Sequence, residues 1–409
     1  MRVPPSVSTL LKRIRRGGHY FGFWWLLSAL LVGLPPVSAE TTLVPLPIFT
    51  TEPNEGETYG ALLAIIDAQE GAFRSLLVPY ATYNSLMGTA ASVHYERFFA
   101  SETKFDTDLS QSTRNQAFYR LRYTSPTMFD PRYLFQGFAL YENDRTARFY
   151  GIGADSREQN ETNYTLRQVG GELTFGRRLK PELIASLTER LRYVTIRRGA
   201  VDTLPFLQDA FTGVPGEDGS FVWAHRLALT YNSRDSYIVP SRGLYGQMFL
   251  EVADEAIGSQ ASFARYGLEG RLLWPHLGER LVTVVRGLVE RVDGSDLPFF
   301  ELSDVGGDDT LRGFGESRFL DEGRVLVNAE ERIKVFHITY GDLRTDIELA
   351  VFAEAGRVFK SFSDLGSGKI QAVVGGGIRF LAASQIVAKI DVGVGSEGVA
   401  IFTGLDYPF

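Results

Sequence analysis

From residue 57 onward the chain repeats one pattern. Segments of about ten residues alternate apolar and polar side chains, and clusters of Gly, Asn, Asp or Pro separate them. Examples are "RSLLVPYATYN", "GTAASVHYERFF", "YGQMFLEVADE", "RLVTVVRGLVERV", "GRVLVNAEERIKV" and "QIVAKIDVGVG". Few of them fit helical spacing; a period of two is that of a strand, whose successive side chains point to opposite faces. In "TDIELAVFAEAG" one face holds Ile347, Leu349, Val351, Ala353 and Ala355, and the other includes Asp346, Glu348, Phe352 and Glu354. In "IQAVVGGGIRF" Ile370, Ala372, Val374, Ile378 and Phe380 oppose Gln371, Val373 and Arg379. One face is greasy and the other polar, strand after strand.

A soluble sandwich alternates too, but three features favour an all-β, transmembrane antiparallel barrel. The strands reach the roughly 9–11 residues that a tilted spanning strand needs. Aromatics gather near strand ends, as in "HYERFF", "PRYLF" and "ARFYG", where membrane interfaces would lie. The N-terminus also reads as an export signal. Lys12, Arg13, Arg15 and Arg16 precede the apolar run Tyr20–Leu34, and "PPVSAE" offers Val37 and Ala39 as the small residues before a cut. That run is short for a spanning helix, which takes about 20 residues. The expected organisation is a signal peptide over 1–39, a short extension over 40–56 and a barrel over 57–409. About seventeen stretches from Glu57 to Phe409 read as strands. Single-chain bacterial barrels have an even number, so sixteen is expected, with the surplus in region 100–150. Residues 40–56 are too few for a domain of their own, which takes at least about 50 residues, so no independent periplasmic domain is expected.

Composition removes several function classes. The 409 residues carry a net charge of -7 and no basic block after the first sixteen, which argues against nucleic acid as a partner. There is no cysteine, hence no disulfide, thiolate metal site or thiol catalysis. His225, His276 and His337 show no metal spacing, and "GGDD" lacks the terminal Glu of a calcium loop, so no cofactor or metal is expected. His94 shares parity with Ser92 and Glu96, and Asp106 and Asp108 fall on the adjacent strand. A His–Asp dyad is conceivable, but lining a polar lumen is the simpler role, and no G-x-S-x-G stands in a suitable context. No enzyme is expected.

One stretch breaks the alternation: residues 292–322, which contain "DVGGDDTLRGFGESRFLDEG". Loops beyond about 12–15 residues usually carry function or disorder. Its glycines, at 306, 307, 313 and 315, permit tight backbone. Arg312 sits among apolar neighbours, and an arginine held inside a barrel needs carboxylates for its rigid fork. Glu330 and Glu354 have the inward parity to supply them.

"TLRGF" resembles the loop motif of the outer-membrane assembly barrels, the BamA/TamA and two-partner-secretion superfamily, also called the bacterial surface antigen family. Arg312, Gly313 and Phe314 match that motif; Phe352, Glu354 and Gly356 match its F-x-D-x-G strand, with Glu in place of Asp. "NAEER", with Glu330, is similar to the family's preceding strand; "NSRDSYIVPSRGLY" and "RFYGIGADS" also resemble family stretches. The resemblance covers most of residues 45–409. It implies a loop folded into the lumen and locked by Arg312 on Glu354 and Glu330. It also implies location in the bacterial outer membrane and a role in inserting or translocating proteins or lipids there. Implied partners are outer-membrane lipids, the barrel-assembly machinery during biogenesis, and a client or separately encoded periplasmic protein. The ending "FTGLDYPF" is close to the terminal assembly signal of such barrels: Gly404, Tyr407 and Phe409 fit and Phe402 departs. The family's periplasmic POTRA domains, which receive clients, are not expected in residues 40–56, which puts client handling in doubt. The competing class is a passive diffusion channel, which does not require the arginine loop. In the assembly class the first and last strands would form a weak seam, and the last carries Gly398, Gly404 and Pro408.

Overall fold

A computed structural model describes residues 41–69, 72–99, 103–114, 116–128, 130–340, 343–366, 368–382 and 386–409; the expected signal peptide lies outside them. The chain forms β1 (Thr41–Glu52), β2 (Gly56–Gln69), β3 (Ala72–Asn84), β4 (Gly88–Phe98), β5 (Lys104–Ser112), β6 (Gln116–Ser125) and β7 (Tyr133–Phe149). Next come β8 (Thr162–Lys180), β9 (Leu183–Arg198), β10 (Ser220–Asn232), β11 (Gly243–Ala253), β12 (Phe263–His276) and β13 (Leu281–Gly294). The short β14 (Ser303–Val305) and β15 (Phe319–Asp321) pair with each other inside the long loop. The wall resumes with β16 (Gly323–Tyr340), β17 (Leu343–Phe359), β18 (Gln371–Ala382), β19 (Ile386–Gly395) and β20 (Gly398–Leu405). All but β14 and β15 belong to one 18-stranded sheet in which sequence neighbours pair and β20 meets β1. Closure leaves no free edge, as a lipid-embedded sheet requires.

The wall therefore has eighteen strands, not sixteen. Seventeen begin at Gly56 or later, and β5, β6 and β7 account for the uncertain region 100–150. The eighteenth is β1, within the segment assigned to an extension, so the barrel does not start at 57. Its "VPLPIF" masks the pattern, because a proline cannot donate to a ladder and reads as non-strand. Pro45 and Pro47 share parity, so both missing donors fall on the same edge of β1.

The sequence alternation maps onto the wall as lipid outside and polar lumen inside. Leu349, Val351, Val374 and Ile378 are exposed outward, whereas Glu348, Phe352, Glu354, Val373 and Arg379 are buried inward. Outward aromatics stack across strands, Tyr119 on Tyr141 and Tyr133 on Phe175, with centroids 5.5 and 5.6 Å apart. The longest connections, 199–219 and 295–322, lie at the end away from both the start of β1 and residue 409, which is the outer end in barrels of this kind.

The lumen is filled rather than open. Loop 295–322 enters it and joins two apolar clusters. Its first limb, with Leu297, Phe299 and Leu302, packs against Phe149, Tyr164, Val194, Val222 and Val292. Its second, with Val305, Leu311, Phe314 and Phe319, packs against Leu326, Phe352, Val358 and Val373. The loop thus spans from the β7–β13 wall to the β16–β18 wall.

Candidate functional site

Arg312 is fully buried at the loop tip. Its backbone N–H and its Nε both donate to Glu354, each at 2.8 Å. Its Nη1 donates to Glu330 at 2.9 Å and to Asp391 at 3.0 Å. The guanidinium carbon stands 3.5 Å from the Phe352 ring centroid, a stacked cation–π contact. Every member comes from a position the strand period fixes: β16 carries Glu330, β17 carries Phe352 and Glu354, β19 carries Asp391. Burial opposes the charge on Arg312, and Glu354, Glu330 and Asp391 more than offset it, so the group is held firmly protonated.

The network extends beyond the expected pair. Arg379 of β18 binds Asp391 at 2.5 Å and Glu330 at 3.2 Å, and Arg332 binds Glu330 at 2.9 Å. Three guanidiniums and three carboxylates thus compensate one another away from water, which is the condition for burying such charges at all. Strand alternation gives Arg332 and Asp391 the same inward parity as their neighbours, but does not place them in this network. Gly393 and Gly395 follow Asp391 on the same face and give the loop room. A Cβ at Gly393 would overlap the Arg312 carbonyl, and one at Gly313 would lie 2.7 Å from the Gly395 nitrogen. Phe314 is buried edge-on to Phe319, centroids 5.4 Å apart, and Gly356 lies close against Leu326.

The first limb of the loop has its own ionic anchor, which the sequence reading missed. Glu301 is buried and accepts from Arg190 at 2.9 Å, Arg265 at 3.0 Å and Arg192 at 3.2 Å. Burial alone would raise its pKa; the three guanidiniums, Arg190 foremost, instead push it down to about 2. A depressed carboxylate stabilises the fold above its ordinary value of 4.5 and loses that contribution as pH falls toward about 2. Heat resistance of the folded barrel on semi-native gels should therefore fall between pH 5 and 2, and Glu301→Gln should flatten that part of the profile. A profile unchanged by Glu301→Gln would remove Glu301 as its source.

The stretch "RFYGIGADS" meets the same loop. Arg318 lies 4.2 Å over the Tyr150 ring, donates to Ser156 at 3.1 Å and pairs with Glu397 at 2.7 Å. In "NSRDSYIVPSRGLY" the Asp235 carboxylate accepts from the Ser241 N–H at 2.9 Å and closes an inner turn. Gly404 lies in β20, but Tyr407 and Phe409 lie beyond it and turn into the lumen. Tyr407 donates to Glu348 at 2.8 Å under the Arg332 guanidinium, and Phe409 packs on Leu273, Val282 and Val284.

His94 and Asp108 do meet, at 2.7 Å, and Lys104 binds Glu96 at 2.5 Å beside them. Arg120 also pairs with Asp108. Ser92 and Ser110 bond each other at 2.8 Å. The dyad is thus embedded in a buried ionic ladder. Among the described residues no group of His, Cys, Asp and Glu could hold a metal ion.

A family model described as Omp85 superfamily domain matches residues 98–395. Among solved structures, BamA from Haemophilus ducreyi lacking POTRA domains 1-3 aligns over 89% of this chain and 74% of its own, at 15% identity and a TM-score of 0.50. CdiB from Acinetobacter baumannii aligns over 91% of this chain at 9% identity and a TM-score of 0.47. CdiB from Escherichia coli does so over 91% at 11% and 0.48. The chain spans only 60% and 62% of those two CdiB chains. No curated protein matches.

Proposed function

Because the chain belongs to the Omp85 superfamily, whose domain accounts for residues 98–395, we propose that this outer-membrane barrel assists the insertion of proteins or lipids into that membrane, or their passage across it. It does so by physical rearrangement, without covalent catalysis. The observation that carries the reading is the contrast between lumen and seam. The lumen is locked by a buried ionic network that a diffusion pore has no use for. Among the described residues, by contrast, the wall closes between β1 and β20 with one register pair, Thr51 opposite Ile401. β20 is only 8 residues long against 19 for β8, and β1 lacks two donors on one edge at Pro45 and Pro47. Such a seam opens at low cost and then offers strand edges on which an incoming strand can pair.

A disulfide across the seam tests this. The chain has no cysteine of its own. Thr51→Cys with Ile401→Cys places two thiols at a register pair. Liposomes carrying the reduced variant should speed protease-protected insertion of a urea-unfolded outer-membrane protein mixture, and the oxidised variant should not. Equal rates for oxidised, reduced and empty liposomes would sink the proposal.

A further inference from the structure

The outward wall of β9 and β10 carries a polar cluster where a barrel should meet only hydrocarbon. Glu189 and His225 are register partners on these strands. They share the parity of Leu187 and Leu191 on β9 and of Leu227 and Leu229 on β10, all exposed outward. His225 Nδ1 lies 2.7 Å from the Glu189 carboxylate, and both side chains are about a third exposed, 35% and 34%. The Trp223 indole N–H donates to Glu189 at 2.9 Å. Tyr193 lies four residues outward of the pair and Tyr231 six residues inward. At about 3.3 Å per residue and a tilt of about 40°, the pair sits roughly 10 Å from the Tyr193 level and roughly 15 Å from the Tyr231 level, within the apolar band they bracket.

Ionisable side chains at that depth are costly, and those that persist usually face a polar interior and mark function. Here they face lipid. The contacts within the chain are incomplete. Among the described residues His225 Nε2 has no hydrogen-bond partner, and a carboxylate holding two donors keeps acceptor capacity. Acyl chains offer neither a donor nor an acceptor. Whatever completes the cluster must bring polar groups to the same depth.

We propose that the β9–β10 wall is the contact face for a second copy of this chain in the same membrane orientation. His225 of one copy would donate through Nε2 to Glu189 of the other. A two-fold axis along the membrane normal carries every residue to its own depth. Opposed in register on tilted strands, Glu189 and His225 lie within roughly 3 Å of each other in depth, and one is a carboxylate acceptor while the other is an imidazole donor. The patch is therefore self-complementary under the symmetry that most homodimers use. The exposed leucines around it supply matching apolar surface on both sides. β9 and β10 are the ninth and tenth of eighteen wall strands, so this face stands opposite the β1–β20 seam and pairing leaves the seam free.

The cysteine-free chain makes the test direct. Leu227→Cys beside the cluster, oxidised with copper phenanthroline in outer membranes, should give a covalent dimer. Val327→Cys, exposed on the distant β16 wall, should not. His225→Leu or Glu189→Leu in the Leu227→Cys background should cut the dimer at least tenfold. Both place an apolar residue against lipid, and heat-modifiable mobility will report retained folding. The swap Glu189→His with His225→Glu should restore it. Crosslinking of Leu227→Cys no greater than that of Val327→Cys, or undiminished by the leucine variants, would overturn the proposal.

Discussion

Arg312→Ala should lower the temperature at which the folded barrel converts to its unfolded mobility on semi-native gels, and should raise its single-channel conductance in planar bilayers. The substitution removes one of three guanidiniums from a dry network and strips Glu354 of its side-chain cation. Breaking a buried pair by deleting one partner typically costs about 3–5 kcal/mol, because the remaining charge stays buried. The cheapest relief is for the loop tip to leave and water to enter, which is why conductance should rise with the loss of stability. Arg312→Lys keeps the charge but not the fork that reaches Glu354, Glu330 and Asp391 together, so it should fall between. Wild-type heat resistance together with wild-type conductance in Arg312→Ala would end the idea of a lumen lock.

The second large effect should come from Gly393→Ala, which touches no charge. Gly393 has no left-handed backbone, so β19 itself can accept alanine there. The added methyl would overlap the Arg312 carbonyl and lie 3.1 Å from the Gly313 nitrogen. Both are backbone atoms and cannot rotate away. Overpacking of this kind costs about 1–3 kcal/mol or ejects what it meets. The variant should shift heat resistance and conductance in the same direction as Arg312→Ala while every ion-pair partner remains present. Gly270→Ala, with nothing within 4 Å of the new Cβ, is the control and should behave as wild type. If Gly393→Ala matched that control, the loop would not rest on β19.

The two variants also mark how far the sequence could be read. Alternation sufficed to place Glu330, Phe352 and Glu354 on the lumen side, because a period of two leaves a strand residue only two directions. It could not say that Arg379 and Asp391, on strands further along, close the same network. Parity gives a face, not the curvature that brings three strands around one guanidinium. Glu301 was illegible for a different reason: it lies in a single 3-10 turn, Phe299–Glu301, too short to show a period. β1 was lost to its prolines, which are legal at a weakly paired edge and misleading elsewhere. The turn of Tyr407 and Phe409 into the lumen had no local signal beyond Asp406, a non-glycine residue at φ 66°.

The anchors of Arg312 lie 18, 42 and 79 residues further along the chain, at Glu330, Glu354 and Asp391. That spacing has a consequence for biogenesis. The loop exists as chain long before the surface that receives it, and its last anchor stands on the penultimate strand. Seating the tip and completing the wall must therefore fall late and together, in a step that waits on contacts distant in sequence, and such contacts are the slow ones. Until then the arginine and its carboxylates stay hydrated, and a chain halted before Asp391 would finish neither its circumference nor its plug.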